Sequence, residues 1–313
     1  MTVALALRAL PPRHFSVLSK YLTNIMLKSL TVVLAALICC TACTRRDTTD
    51  PWNTPALATD SLFNLSYDTD TAQKLDLYLP QARSSDSTPL LIVIHGGAWS
   101  SGDKADMTPW VQVMRQRLPG WAIANINYRL ASAAPPYNFF PAQETDLQQA
   151  VKYLYDRRIQ HHYSDRIVLL GYSSGGQMAL LHSYKRFTPV AIKAALSLSG
   201  PSDMADLYQF QPPNIQYGMQ LLMGGTPTSN PTLYAQSSPR TFVAAHVPQT
   251  FLVQGGLDSV VPYTQTAALQ AQLQTAGVRN SYIFYPGEKH VYNDSTLYKV
   301  IDTASSWLRR YVK

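Results

Sequence analysis

Five apolar residues in a row, Leu90-Leu91-Ile92-Val93-Ile94, follow Pro89 and run straight into His95-Gly96-Gly97. A strand with one wet face alternates apolar and polar residues. A short unbroken apolar run instead needs cover on both faces, as in a mostly parallel sheet. Residues 167–170 repeat the pattern and end at Gly171, and Phe251-Leu252-Val253 repeats it before Gln254-Gly255-Gly256. Further strands are expected at 61–67, 74–79, 123–128, 194–198 and 282–285. In the second of these, Leu75, Leu77 and Leu79 alternate with Asp76 and Tyr78. Helical spacing falls between strands at 142–157, where Leu147, Ala150, Val151 and Leu154 share a face, and again at 177–185, 263–276 and 295–312. Strands alternating with helices predict an α/β chain, with a mostly parallel central sheet and helices on both faces.

In such sheets ligands bind beyond the carboxyl ends of the strands, so the residues after each apolar run carry the functional information. After residue 170 comes Gly171-Tyr172-Ser173-Ser174-Gly175, a Gly-x-Ser-x-Gly pattern between a strand and a helix. A hydroxyl is a poor nucleophile until a base takes its proton, and a sharp strand-to-helix turn exposes its oxygen. Ser173 is therefore the candidate nucleophile; a glycine-rich loop entering a helix is the plainer alternative. After Ile94, Gly96 and Gly97 are candidate amide donors to an oxyanion, with the N–H of Ser174 as the third. His95 is read as bracing that loop by hydrogen bonding rather than as the base. Of the histidines after Ser173, His182 falls in the following helix and His246 precedes the last two strands, which leaves His290 as the base. Asp258, after the run at 251–253, is the expected acid, with Asp203 as the competing choice. Glu288 reads as a surface charge.

His95-Gly96-Gly97-Ala98-Trp99, the elbow from Gly171, Asp258 and His290 together resemble bacterial esterases of the hormone-sensitive-lipase-like and feruloyl-esterase-like branch of the α/β-hydrolases. The chain order serine, acid, histidine is that fold's order. Leu75-Asp76-Leu77-Tyr78-Leu79-Pro80, Phe140-Pro141-Ala142 with Asp146, and Ser237-Ser238-Pro239 resemble further segments of these enzymes. The likeness runs from about residue 63 to residue 312. Many relatives carry a third glycine where this chain has Ala98. The resemblance implies an α/β-hydrolase fold and ester hydrolysis through an acyl-enzyme, with no metal or organic cofactor. It spans feruloyl, acetylxylan and short-chain esterases and arylformamidase-like enzymes, so the substrate is a small-molecule or glycan-linked ester. An amidase or exopeptidase is the alternative enzyme, though no propeller domain is legible. A glycan-binding surface lipoprotein on a hydrolase fold is the non-enzymatic alternative, and its mark would be a missing triad residue.

Residues 200–240 are expected to form a small cap or pocket wall, and 132–140 another. Their aromatic residues suit an aryl or sugar group but equally suit plain packing.

The net charge of +7 includes four cations and no acid within residues 1–42, so the remainder is close to balanced and shows no basic stripe. Nucleic acid is not an expected partner. All three cysteines, Cys39, Cys40 and Cys43, end an uncharged stretch flanked by Lys28 and by Arg45-Arg46. That stretch is sixteen residues long, short of the ~20 that span a bilayer. It reads as a signal segment over 1–42, with Met26 as an alternative start. Cys40-Thr41-Ala42-Cys43 resembles a bacterial lipoprotein processing site, with Cys40 where an aliphatic residue is usual. Cys43 would then carry a lipid anchor, residues 43–60 a tether, and 61–313 the catalytic domain. This implies an exported protein, periplasmic or at the outer membrane, touching the membrane through its anchor alone.

Overall fold

A computed structural model describes residues 56–185 and 190–312. The run at 90–94 pairs on both edges and is fully buried on both faces. In chain order the strands are β1 (Asp60–Ser66), β2 (Lys74–Leu79), β3 (Leu90–Ile94), β4 (Ala122–Ile126), a two-residue pair β5 (Ser132–Ala133) and β6 (Pro136–Tyr137), then β7 (Ile167–Tyr172), β8 (Ile192–Leu198), β9 (Gln249–Gly255) and β10 (Asn280–Tyr285). The helices are α1 (Lys104–Arg117), α2 (Ala142–Asp156), the single turn α3 (Arg158–His161), α4 (Ser174–Lys185), α5 (Met204–Phe210), α6 (Pro213–Met223), α7 (Pro231–Gln236), α8 (Tyr263–Thr275) and α9 (Asp294–Tyr311).

Eight strands form one sheet in the order β1-β2-β4-β3-β7-β8-β9-β10. Only β1 and β2 run antiparallel to their neighbours; from β4 to β10 every pairing is parallel. The period-two geometry of β3 divides its apolar run between two cores. Leu90, Ile92 and Ile94 join Leu147, Val151 and Leu154 of α2 and Met178 of α4 on one face. Leu91 and Val93 join Met107 and Val111 of α1 and Ile301 and Trp307 of α9 on the other. The expected α/β architecture with helices on both faces is what the chain forms.

Two parts of the chain gave no clear sequence signal. Helix α1 carries Pro109 inside it and little segregation of apolar residues; its start is set by a capping box in which Asp103 and Asp106 bond each other's backbone N–H groups. The stretch between β8 and β9 folds into α5, α6 and α7, the expected wall, and its aromatic residues divide between packing and exposure. Tyr208 and Tyr234 meet edge to face in the core, while Phe210 and Tyr217 are exposed. The pair β5–β6 and the loop after it form the second wall. Behind that wall, buried Asp146 of α2 accepts hydrogen bonds from Arg129 and Gln73, tying the segment after β4 to the sheet.

Candidate active site

Ser173 is the turn between β7 and α4. Its φ is +54°, a left-handed conformation that costs a side-chain-bearing residue about 1 kcal/mol or more. The fold over-determines it: the Ser173 N–H donates to the Leu198 carbonyl (2.8 Å), and the flanking glycines allow contacts no Cβ would permit. A Cβ on Gly171 would lie 2.0 Å from the Gly175 carbonyl oxygen, and one on Gly175 would lie 2.3 Å from that of Ile94. The Gly-x-Ser-x-Gly spacing is thus the packing requirement of a helix starting directly over β3 and β7. Strain held in this way concentrates at functional positions.

The loops after β9 and β10 are stitched together. Gly256 N–H donates to the Tyr285 carbonyl and Leu257 N–H to that of Glu288, each at 2.8 Å. Gly255 has no room for a Cβ, which would sit 2.4 Å from the Glu288 carbonyl oxygen. That close approach brings His290 over Asp258. His290 Nδ1 lies 2.8 Å from Asp258 Oδ2, and His290 Nε2 lies 2.9 Å from Ser173 Oγ. The Tyr172 hydroxyl donates to the His290 carbonyl at 2.8 Å and fixes its backbone.

Asp258 is fully enclosed. It accepts the N–H groups of Val260 and Val261 on Oδ1 and the Gln254 amide on Oδ2, all at 2.8 Å. Burial by itself would raise its pKa; the bond and charge of His290 together with the two backbone donors outweigh that and hold it below the usual carboxylate range. Asp203, the competing acid, is elsewhere engaged. It caps α5 through the N–H groups of Ala205 and Asp206 and faces Arg240. The structure therefore brings Asp258, and not Asp203, to His290. Glu288, read from sequence as a surface charge, instead holds the start of α9, accepting from Thr296 Oγ1 (2.6 Å) and Asn293 N–H (3.1 Å).

The loop after β3 lies against the elbow, with the Cα of Gly96 so placed that a Cβ would be 3.1 Å from that of Ser173. Among the described residues, neither the Gly96 nor the Gly97 N–H is given to another protein group. Ser174 opens α4, so its N–H has no partner inside the helix. Buried His95 braces the loop as expected: Nδ1 lies 2.6 Å from the Gly96 carbonyl, and the ring stacks on Tyr128 at 4.3 Å. Burial holds the His95 imidazole below its ordinary range, so at neutral pH it is an uncharged donor. Ala98 and Trp99 both have positive φ, +50° and +62°. A glycine at position 98 would adopt that turn without strain; here the turn is held by Trp99 Nε1 donating to Gln177 Oε1 (3.0 Å), whose amide donates on to the Ser237 carbonyl (2.7 Å).

A cavity of about 300 Å³ opens beside Ser173 and Ser174. No charged residue lines it; its walls include Trp99, Phe139, Leu207, Met219 and Val261. The walls expected at 132–140 and 200–240 supply Phe139, Leu207 and Met219; Val261, and the Gln254 bond to Asp258, fall outside that expectation. Nothing in the text marks a glutamine in a strand as a partner for an acid four residues on. Cys43 lies outside the described residues. Among the described residues no cluster of three His, Cys, Asp or Glu side chains could hold a metal, and no helix is long and apolar enough to cross a membrane.

The BD-FAE family model matches residues 75–273. Esterase LipQ of Mycobacterium tuberculosis is 26% identical over 218 residues, covering 66% of this chain and 50% of that protein. The probable carboxylic ester hydrolase LipM of the same organism is 28% identical, covering 65% and 49%. The chain spans about half the length of the curated relatives it matches. Among solved structures, a truncated carbohydrate esterase from gut microbiota superposes with a TM-score of 0.67 at 23% identity, covering 79% of this chain and 96% of that one. An acetyl ester-xyloside bifunctional hydrolase from Caldicellulosiruptor lactoaceticus superposes with a TM-score of 0.62 at 20% identity, covering 82% and 97%.

Proposed function

The chain belongs to the BD-FAE family and has the α/β-hydrolase fold, and on that premise we propose that it is a serine carboxylesterase working through an acyl-enzyme. Ser173 Oγ attacks the ester carbonyl while His290 Nε2 takes its proton. Negative charge develops on the carbonyl oxygen and is received by the N–H groups of Gly96, Gly97 and Ser174, the last also at the positive end of α4. Collapse of the tetrahedral intermediate breaks the ester bond, and the proton on Nε2 passes to the departing alcohol oxygen. Water, deprotonated by the same nitrogen, then releases the acid and restores Ser173. Throughout, the Asp258 carboxylate stays ionised, holds the tautomer with the proton on Nδ1, and stabilises the imidazolium.

The observation that carries the proposal is the unbroken relay Ser173–His290–Asp258, at 2.9 and 2.8 Å, ending beside two uncommitted amides. The names carried by LipQ and LipM support ester rather than amide bonds, and the carbohydrate-esterase likeness makes glycan-linked esters the first natural substrates to test. The experiment is a panel of acetyl, butyryl, feruloyl and formamide substrates on the purified domain, run with Ser173→Ala. Ester turnover falling by up to about 10⁶ in kcat, with the fold retained, is the expected result. Hydrolysis that survives the substitution would overturn the assignment.

A further inference from the structure

Helix α6 carries a glycine, Gly218, in its interior, where glycine is among the weakest helix formers. Ile215 and Leu222 stand three residues before it and four after it, so the three share one face of the helix. All three line the cavity beside Ser173. Gly218 is the gap in that ridge. A Cβ built on it meets nothing within 4 Å, so neither close packing nor a positive φ requires a glycine there. The helix accepts a poor former at a place where a side chain would narrow the cavity.

The cavity belongs to one side of the reaction. Ser173 and Ser174 line it and His290 does not. In the proposed mechanism the alcohol leaves toward His290 Nε2, so this cavity lies on the acyl side. The residue following His290, Val291, is 74% exposed, and Leu257 beside Asp258 is 59% exposed, so the alcohol side is open to solvent. With uncharged walls and a notch left by Gly218, we propose that Gly218 is a specificity-determining residue that admits a bulky, uncharged apolar acyl group, joined to an alcohol whose size is unrestricted. This rests on the esterase reading above and adds to it the acyl class and the residue that selects it.

The test is kcat/KM for the p-nitrophenyl esters of acetate, butyrate, octanoate and ferulate, and for phenyl and 1-naphthyl acetate, measured on the wild type and on Gly218→Ala, Gly218→Val and Gly218→Phe. In the wild type, octanoate and ferulate should be taken at least as well as acetate. Gly218→Phe should lower the octanoate-to-acetate and ferulate-to-acetate ratios by about tenfold or more, the scale on which an apolar pocket discriminates by size. Gly218→Val should do so by less, and Gly218→Ala, which adds one carbon, least of all, with its Tm unchanged or raised. If Gly218→Phe does not fold, the valine variant reads the same ratio. An unchanged ratio in folded valine and phenylalanine variants overturns the role of Gly218. A variant that discriminates among acetyl esters by alcohol size instead overturns the acyl assignment. A wild type that hydrolyses no ester fails the underlying function, which is a separate and distinguishable result.

Discussion

Replacing Asp258 by asparagine should cost far more activity than its small change in size suggests. The carboxylate accepts four hydrogen bonds, two from the backbone of Val260 and Val261 and two from Gln254 and His290. An amide offers one acceptor oxygen, so its NH₂ group must face one of those donor pairs. Facing the backbone would leave two N–H groups unmet, and they cannot change their nature. Turned toward His290, it loses one bond to Gln254, while the imidazole can answer by moving its proton to Nε2. At about 1–3 kcal/mol for each buried donor left unmet, the second orientation wins. His290 is then held with a proton on the nitrogen that faces Ser173 Oγ, and it cannot take another. The expected loss in kcat is about 10⁴, the scale seen when a triad acid is made an amide in another serine hydrolase. Stability at neutral pH should fall by about 2–3 kcal/mol through loss of the charge-assisted bonds. Because the folded pKa of Asp258 lies below its unfolded value, its contribution is complete above the ordinary carboxylate range and is lost as pH falls through the depressed value. The stability gap between wild type and variant should therefore close in acid. Hydrolysis of p-nitrophenyl butyrate and urea unfolding at several pH values measure both effects, with Asp203→Asn as control, since asparagine caps α5 as well as aspartate does. A loss below tenfold in Asp258→Asn, or a larger loss in Asp203→Asn, would refute the reasoning.

Three further outcomes are expected. Asp146→Ala takes the shared carboxylate from Arg129 and buried Gln73, and should lower the unfolding free energy by about 3 kcal/mol in urea titrations, the low end for a broken buried pair because Arg129 is partly exposed. His182, buried in α4, has its pKa pushed down to about 3 by burial, so between pH 6.5 and that value the unfolded chain binds a proton the folded one does not. This group alone should lower stability by about 2 kcal/mol from pH 6.5 to pH 5, and His182→Gln should remove that share of the slope while leaving the part due to His95. For the proposed anchor, Cys43→Ala in the full chain should abolish partitioning into the detergent phase; unchanged partitioning would refute acylation at that position.

The strands were legible because their burial is a local property. A strand covered on both faces reads as an unbroken apolar run, as at Leu90–Ile94, and the alternation of Leu75, Leu77 and Leu79 with Asp76 and Tyr78 marks Lys74–Leu79. The elbow was legible for a related reason: Gly171 meets Gly175, a neighbour that the strand-turn-helix itself brings close, although Gly175 in turn packs on Ile94 of β3. Helix α1 was not, because Pro109 and a scattered apolar face hide a segment whose stability comes from packing on α9 and the sheet. Lys104 of that helix bonds Asp76 in β2 at 2.7 Å, a contact no spacing in the chain foretells.

Residue order alone determined the layered α/β class, the serine at its elbow and the histidine near the end of the chain, since each rests on short-range periodicity or on elimination. The choice between Asp203 and Asp258 was left to the folded chain. Both follow strands, and they differ in what the third dimension delivers to them: a helix start and Arg240 for one, an imidazole and two backbone amides for the other. The meaning of Gly218 likewise exists only in space. In the text it is a glycine inside a helix; in the fold it is the opening in a wall that α5, α6 and the loop after β6 build around Ser173.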